Sequence, residues 1–150
     1  MSWDTVFSVA NMYALICWVA LAFLPRWPAL LAAILYAGVG LLSLTYAVTM
    51  IGLVTGTFDP VGGEPGGNFS SIDGVQALFA SDGGLTLGWV HYLAFDLFVG
   101  LWIARDADAK GFSRIIQVPV LFATLMAGPM GLLIWMVIRE KRAQAQGRWS

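Results

Sequence analysis

Apolar residues run almost unbroken through four stretches of the chain, at about 6–24, 29–54, 85–104 and 115–138, and polar residues gather between them. A helix needs about 20 residues to cross the roughly 30 Å hydrocarbon core of a bilayer. All four stretches meet that length, and the second is long enough to require tilt. Punctuation agrees with the pattern. The first stretch stops at Pro25-Arg26-Trp27-Pro28, the third at Arg105-Asp106-Ala107-Asp108, and the fourth at Arg139-Glu140-Lys141-Arg142. The pattern predicts an all-α, integral membrane four-helix bundle forming a single domain over residues 1–150. The first stretch does not read as a cleavable signal peptide. Asp4 precedes it without Lys or Arg, and no small-residue cleavage site follows.

Residues 55–84 separate spans two and three and are rich in glycine and acidic side chains. Their glycine run lacks phosphate-binding spacing and a following Lys-Ser/Thr, so it reads as linker. The segment Asp73-Gly74-Val75-Gln76-Ala77-Leu78-Phe79 predicts a short interfacial helix with Asp73 as its N-cap. Four crossings would place both termini and this loop on one side. Lys and Arg then divide evenly: Arg139, Lys141, Arg142 and Arg148 against Arg26, Arg105, Lys110 and Arg114. With such a tie the positive-inside rule does not choose an orientation. The acidic, Lys-free N-terminus and middle loop favour an outside placement for both termini.

Composition narrows the environment. Hydrophobic residues make up 59% and charged residues 11%, against about 25% charged in soluble domains, and mean hydropathy is +0.76. A net charge of −1 without a basic stripe excludes nucleic acid as a partner. The single cysteine, Cys17, excludes an intrachain disulfide and a cysteine metal cluster. Charges near Arg105-Asp106 read as an interfacial cap. Trp18, Trp27, Trp102 and Trp135 read as interfacial belt or pocket lining.

Small residues at four-residue spacing mark helix contact faces in lipid. Ala123, Ala127 and Gly131 form one such row on span four, and Tyr36, Gly40, Ser43 and Ala47 lie along span two. Pro119 and Pro129 each remove a backbone hydrogen bond inside span four and invite a kink. Most of this is bundle packing. Gly128-Pro129-Met130-Gly131 stands apart, because an opened backbone beside a polar neighbour often lines a cavity.

Span three carries the chain's only histidine, His91, and the carboxylate of Asp96 within apolar sequence. A charged carboxylate near mid-span costs roughly 3 kcal/mol or more, so such residues face the protein interior and are functional candidates. Five residues of helix rotate by about 500°, which leaves His91 and Asp96 about 140° apart and about 7.5 Å apart along the axis. They do not form a same-face dyad. Tyr92 and Asp96 are four apart and can touch. His91 shares its face with Phe95, Phe98 and Trp102. One histidine and one distant carboxylate make a poor zinc site, so neither a metal nor a cofactor is expected. The bland alternative makes His91 and Asp96 register-holding groups, bridging to Asn11 or Tyr13, to Thr45, Tyr46 or Thr49, and to Gln117 or Thr124.

The run Leu78-Phe79-Ala80-Ser81, Leu85-Thr86-Leu87, Trp89-Val90-His91-Tyr92-Leu93 and Asp96-Leu97-Phe98 resembles the plant neoxanthin-synthase family of the abscisic-acid-deficient-four type. The likeness is dense over 74–106 and thinner over 115–138, where Gly128-Pro129-Met130-Gly131 fits the same pattern. The resemblance implies a role in carotenoid metabolism, because plant members are linked to conversion of violaxanthin into neoxanthin, an epoxide-to-allene isomerisation. Without an Arg- and Ser-rich transit peptide, the chain reads as a bacterial inner-membrane relative. Two functions are expected. One is a carotenoid isomerase acting on a xanthophyll or other polyene in the bilayer, with an uncharged Asp96 as acid, His91 as base and Tyr92 beside them. Trp89, Phe95, Phe98 and Trp102 would then bind the substrate. The other is a non-catalytic pigment- or quinone-binding subunit. Expected partners are membrane lipid, a carotenoid or similar apolar ligand, and a second copy or a larger membrane complex.

Overall fold

The computed structural model describes residues 2–63 and 67–146. Among them every regular element is a helix: α1 (Trp3–Phe23), α2 (Pro28–Val54), α3 (Ile72–Phe79), α4 (Asp82–Ala109), α5 (Arg114–Met126) and α6 (Gly128–Gln146). Helices α1, α2 and α4 are long and apolar enough to cross a membrane. The fourth apolar stretch is not one helix. It divides at Ala127, whose backbone leaves the helical region (φ −158°, ψ 83°).

Local chemistry sets the helix ends. α1 carries Asp4 in its first turn, where the helix dipole favours a carboxylate, and stops before Pro25. Pro28 opens α2 after an extended Trp27, a position where its missing N–H costs nothing. α2 contains a π-turn over Ile34–Val39, within which Gly38 lies against Cys17; a Cβ at 38 would sit 3.2 Å from the Cys17 sulfur. α3 is capped by Ser71 rather than Asp73. The Ser71 hydroxyl accepts from the Gly74 N–H at 3.1 Å, the third helical position that an N-cap side chain reaches, while Asp73 occupies the first turn. α4 ends where Gly111 adopts φ +66° and the Phe112 N–H donates back to the Ala107 carbonyl.

α5 and α6 double back on each other. A Cβ on Gly131 would fall 2.5 Å from the Thr124 Cα, although seven residues of one helix span about 10.5 Å. Further along, Arg142 donates to the Lys110 carbonyl at 2.9 Å and its guanidinium sits 4.0 Å over the Phe112 ring. One straight helix would put about 45 Å between 112 and 142. Pro119 sits inside α5 without ending it. The break falls at Ala127 because Pro129 and two glycines follow it.

The chain forms two compact units, one of residues 1–14 with 40–94 and the other of 15–39 with 95–150. The second is held by buried polar groups as well as apolar packing. Asp106 accepts from Trp135 Nε1 at 2.9 Å and pairs with Arg139 through two bonds of 2.6 and 2.9 Å, while the Lys110 ammonium lies at 3.1 Å. Arg26 donates to the Leu21 and Ala104 carbonyls, to Asp108 at 3.1 Å and to Gln117, whose own amide donates to Asp108 and to the Phe112 carbonyl. Burial pulls the Arg26 guanidinium below the usual arginine range, and the neighbouring Asp108 opposes that pull. These charges are an internal clamp, not an interfacial cap, and of this group Arg105 alone is the exposed cation. Trp18 and Trp135 are core residues, at 4% and 0% exposure, instead of belt residues. Asp106→Ala strands two buried cations, so we expect a loss of about 3–5 kcal/mol in denaturant unfolding followed by tryptophan fluorescence. Lys141→Ala, at an exposed site, should stay within about 0.5 kcal/mol. Equal losses would contradict the clamp.

Candidate functional site

The unit formed by residues 1–14 and 40–94 contains a groove of about 580 Å³, within the roughly 300–1,000 Å³ range of small-molecule sites. Helical periodicity builds two of its walls. Tyr46, Met50 and Leu53 recur along one face of α2, and Gly84, Leu87, Gly88 and His91 along one face of α4. α3 supplies the third wall with Leu78 and Phe79, and Phe69 of the preceding loop adds to it. Gly88 is needed for this closure, since a Cβ there would overlap the Phe79 ring. Polar groups are few. His91 lies beside Tyr46 with ring centroids 5.4 Å apart, and Ser81 uses its hydroxyl to accept from the Gly84 N–H.

The predicted site residues separate into distinct settings. His91 is exposed and lines the groove. Trp89 and Tyr92 stack on each other at 5.1 Å, and Trp89 also stacks on Phe7 at 5.7 Å and donates to Asn11 Oδ1 at 3.3 Å. That aromatic stack joins α1 to α4 and does not line the groove. Phe95 and Phe98 are exposed on α4. Phe98 and Trp102 line a second groove of about 510 Å³ within the other unit, where Leu132 and Met136 of α6 face them. Its Arg139 lies 5.4 Å over the Trp102 ring and is bound to Asp106.

Asp96 is buried, and its carboxyl lies against Gly128, the first residue of α6. A methyl group at 128 would overlap the carboxyl group. The polar neighbour expected at the Gly128-Pro129 opening is therefore Asp96, seated where the α6 dipole favours negative charge. Thr124 of α5 is also buried and returns its hydroxyl to the Val120 carbonyl. Among the other bridging candidates, Tyr46 meets His91, Thr45 and Thr49 bond their own helix, and Gln117 joins the Arg26–Asp108 cluster. Among the described residues no three His, Cys, Asp or Glu side chains converge as a metal site.

From residue order Tyr46 was legible only as a partner for His91, not as part of a binding wall. The Tyr46, Met50, Leu53 row was the available signal, but an apolar row on an apolar helix does not announce which face is covered.

Fold and groove together define an all-helical protein with three helices of membrane-spanning length and a polar-edged apolar groove. The chain belongs to the ABA4-like family (ABA DEFICIENT 4-like), whose model matches residues 5–135. No curated protein and no solved structure matches the chain.

The Asp96–Gly128 contact makes a quantitative prediction. Gly128→Ala overpacks the site and should cost about 1–3 kcal/mol. In the Asp96→Ala background the same change should cost much less. Additive effects in a double-mutant cycle would contradict direct contact.

Proposed function

We propose that this is an integral membrane protein of carotenoid metabolism, and that the groove between α2, α3 and α4 receives one end of a xanthophyll or similar polyene within the bilayer. The observation that carries the reading is the groove itself, whose walls are mostly apolar and whose few polar groups include His91 beside Tyr46. Membership of the ABA4-like family supports the substrate class.

An epoxide-to-allene isomerisation needs an acid at the opening oxygen and a base at a carbon-bound proton, with no net redox change. In this reading His91 takes the carbon-bound proton and the Tyr46 phenol serves the oxygen. Asp96 acts as a positioning residue at the start of α6, and Tyr92 fixes α4 through its stack on Trp89. A second reading is a pigment- or quinone-holding subunit without catalysis. It is favoured by one observation: among the described groove-lining side chains, His91 is the only imidazole and there is no carboxylate to act with it.

Expression in a host that makes epoxy-carotenoids separates the readings. We expect a visible carotenoid spectrum on the purified protein and an altered carotenoid profile in the host. His91→Ala should lower conversion by about 10²-fold or more while the pigment is retained. Bound pigment with an unchanged profile would favour the holding role. A colourless protein with an unchanged profile would overturn both.

A further inference from the structure

We infer that the α5–α6 hairpin is re-entrant, so that the chain crosses the bilayer three times and its C-terminal tail returns to the face it left. This inference rests on the membrane reading above and goes beyond it. Lengths argue first. α5 has 13 residues, about 20 Å, and the apolar part of α6 over 128–138 is about 17 Å. Neither arm reaches across a roughly 30 Å core. Side-chain contacts argue second. Arg139 returns to Asp106, and Arg142 returns to Lys110 and Phe112, at the level where α4 ends and α5 begins. The tip argues third. Gly128 and Gly131 are buried there and Pro129 has no N–H to satisfy, which suits a backbone opening held away from water.

This arrangement breaks the charge tie. Once α6 returns, residues 139–146 share a face with residues 25–27 and 105–114. That face collects all seven Lys and Arg of the described residues. The opposite face, with residues 2–5, 55–63 and 67–84, has none among the described residues and carries Asp4, Asp59, Asp73 and Asp82. The positive-inside rule then places the basic face in the cytoplasm. Arg26, Lys110 and Arg139 are committed to the internal clamp, whereas Arg105 and Lys141 are exposed. The exposed cations meet the anionic headgroups of the cytoplasmic leaflet.

Single-cysteine labelling tests the inference in the full chain. Cys17 is the only cysteine and is buried, so Cys17→Ala gives the background. Ser70→Cys, Ser113→Cys and Ala145→Cys each place a thiol at an exposed position. A membrane-impermeant maleimide is applied to intact cells, then after permeabilisation, with denatured protein as the control for thiol reactivity. We expect Ser70→Cys to label in intact cells, and Ser113→Cys and Ala145→Cys to label only after permeabilisation. Labelling of 113 and 145 from opposite sides overturns the hairpin. Outside labelling of both, with 70 protected, overturns the orientation. Carbonate extraction runs in parallel: release into the soluble fraction overturns the membrane reading itself, whereas the labelling outcomes concern a protein that stays in the membrane.

Discussion

A helix broken inside apolar sequence opens its backbone, and here the Asp96 carboxyl lies against Gly128, the first residue after the break. An unsatisfied backbone group in hydrocarbon costs several kcal/mol. The net worth of a buried ion pair is close to zero against an apolar replacement. The break, more than the ion cluster, therefore decides the path of the chain. Gly128 admits the Asp96 carboxyl, Gly131 admits Thr124, and Pro129 leaves one donor fewer to satisfy. Given that turn, Trp135 and Arg139 arrive at Asp106, and Arg142 arrives at Phe112. The clamp then locks a return that the break makes possible.

Polar residues in this protein do two different jobs. Asp106 pairs with Lys110 and Arg139, and Arg26 pairs with Asp108 and bonds the Ala104 carbonyl, so removal of one partner would leave another charge buried and uncompensated. His91 instead lines an open groove beside Tyr46, where the walls are apolar. A group in that setting is available to a ligand in a way that the clamp residues are not. This contrast is why the functional reading rests on His91, with Asp96 assigned to architecture.

Much of the fold was legible in residue order, for identifiable reasons. Hydropathy marks α1, α2 and α4, because each is apolar over a span's length; α1 stops before Pro25, α2 starts at Pro28 and α4 runs into Arg105-Asp106-Ala107-Asp108. Helical rotation separated His91 from Asp96. Hydropathy cannot register direction, so α5 and α6 read as one span; their reversal depends on contacts between residues far apart in sequence, such as Asp106 with Arg139. The Gly128-Pro129 opening was foreseeable, and neither its contact with Asp96 nor the sharpness of the turn was. Similar reasons explain smaller differences. Ser71 outcompetes Asp73 as a cap because its hydroxyl stands three residues before the Gly74 N–H. Trp18 and Trp135 carry the same side chain as a belt residue and differ only in what lies against them. The groove required α3 and the loop at Phe69 to fold over α2 and α4, a long-range arrangement that neither periodicity nor composition encodes.

The clamp and the contacts of Arg142 with Lys110 and Phe112 depend on the return of α6 along α5, and a single distance reports that return. Spin labels at Ser113→Cys and Ala145→Cys in the Cys17→Ala background give it by pulsed electron–electron resonance in reconstituted membranes. Packed antiparallel helices about 10 Å apart with arms of similar length predict a separation below about 25 Å. A single uninterrupted span would hold the two labels about 48 Å apart, and that distance would contradict the hairpin.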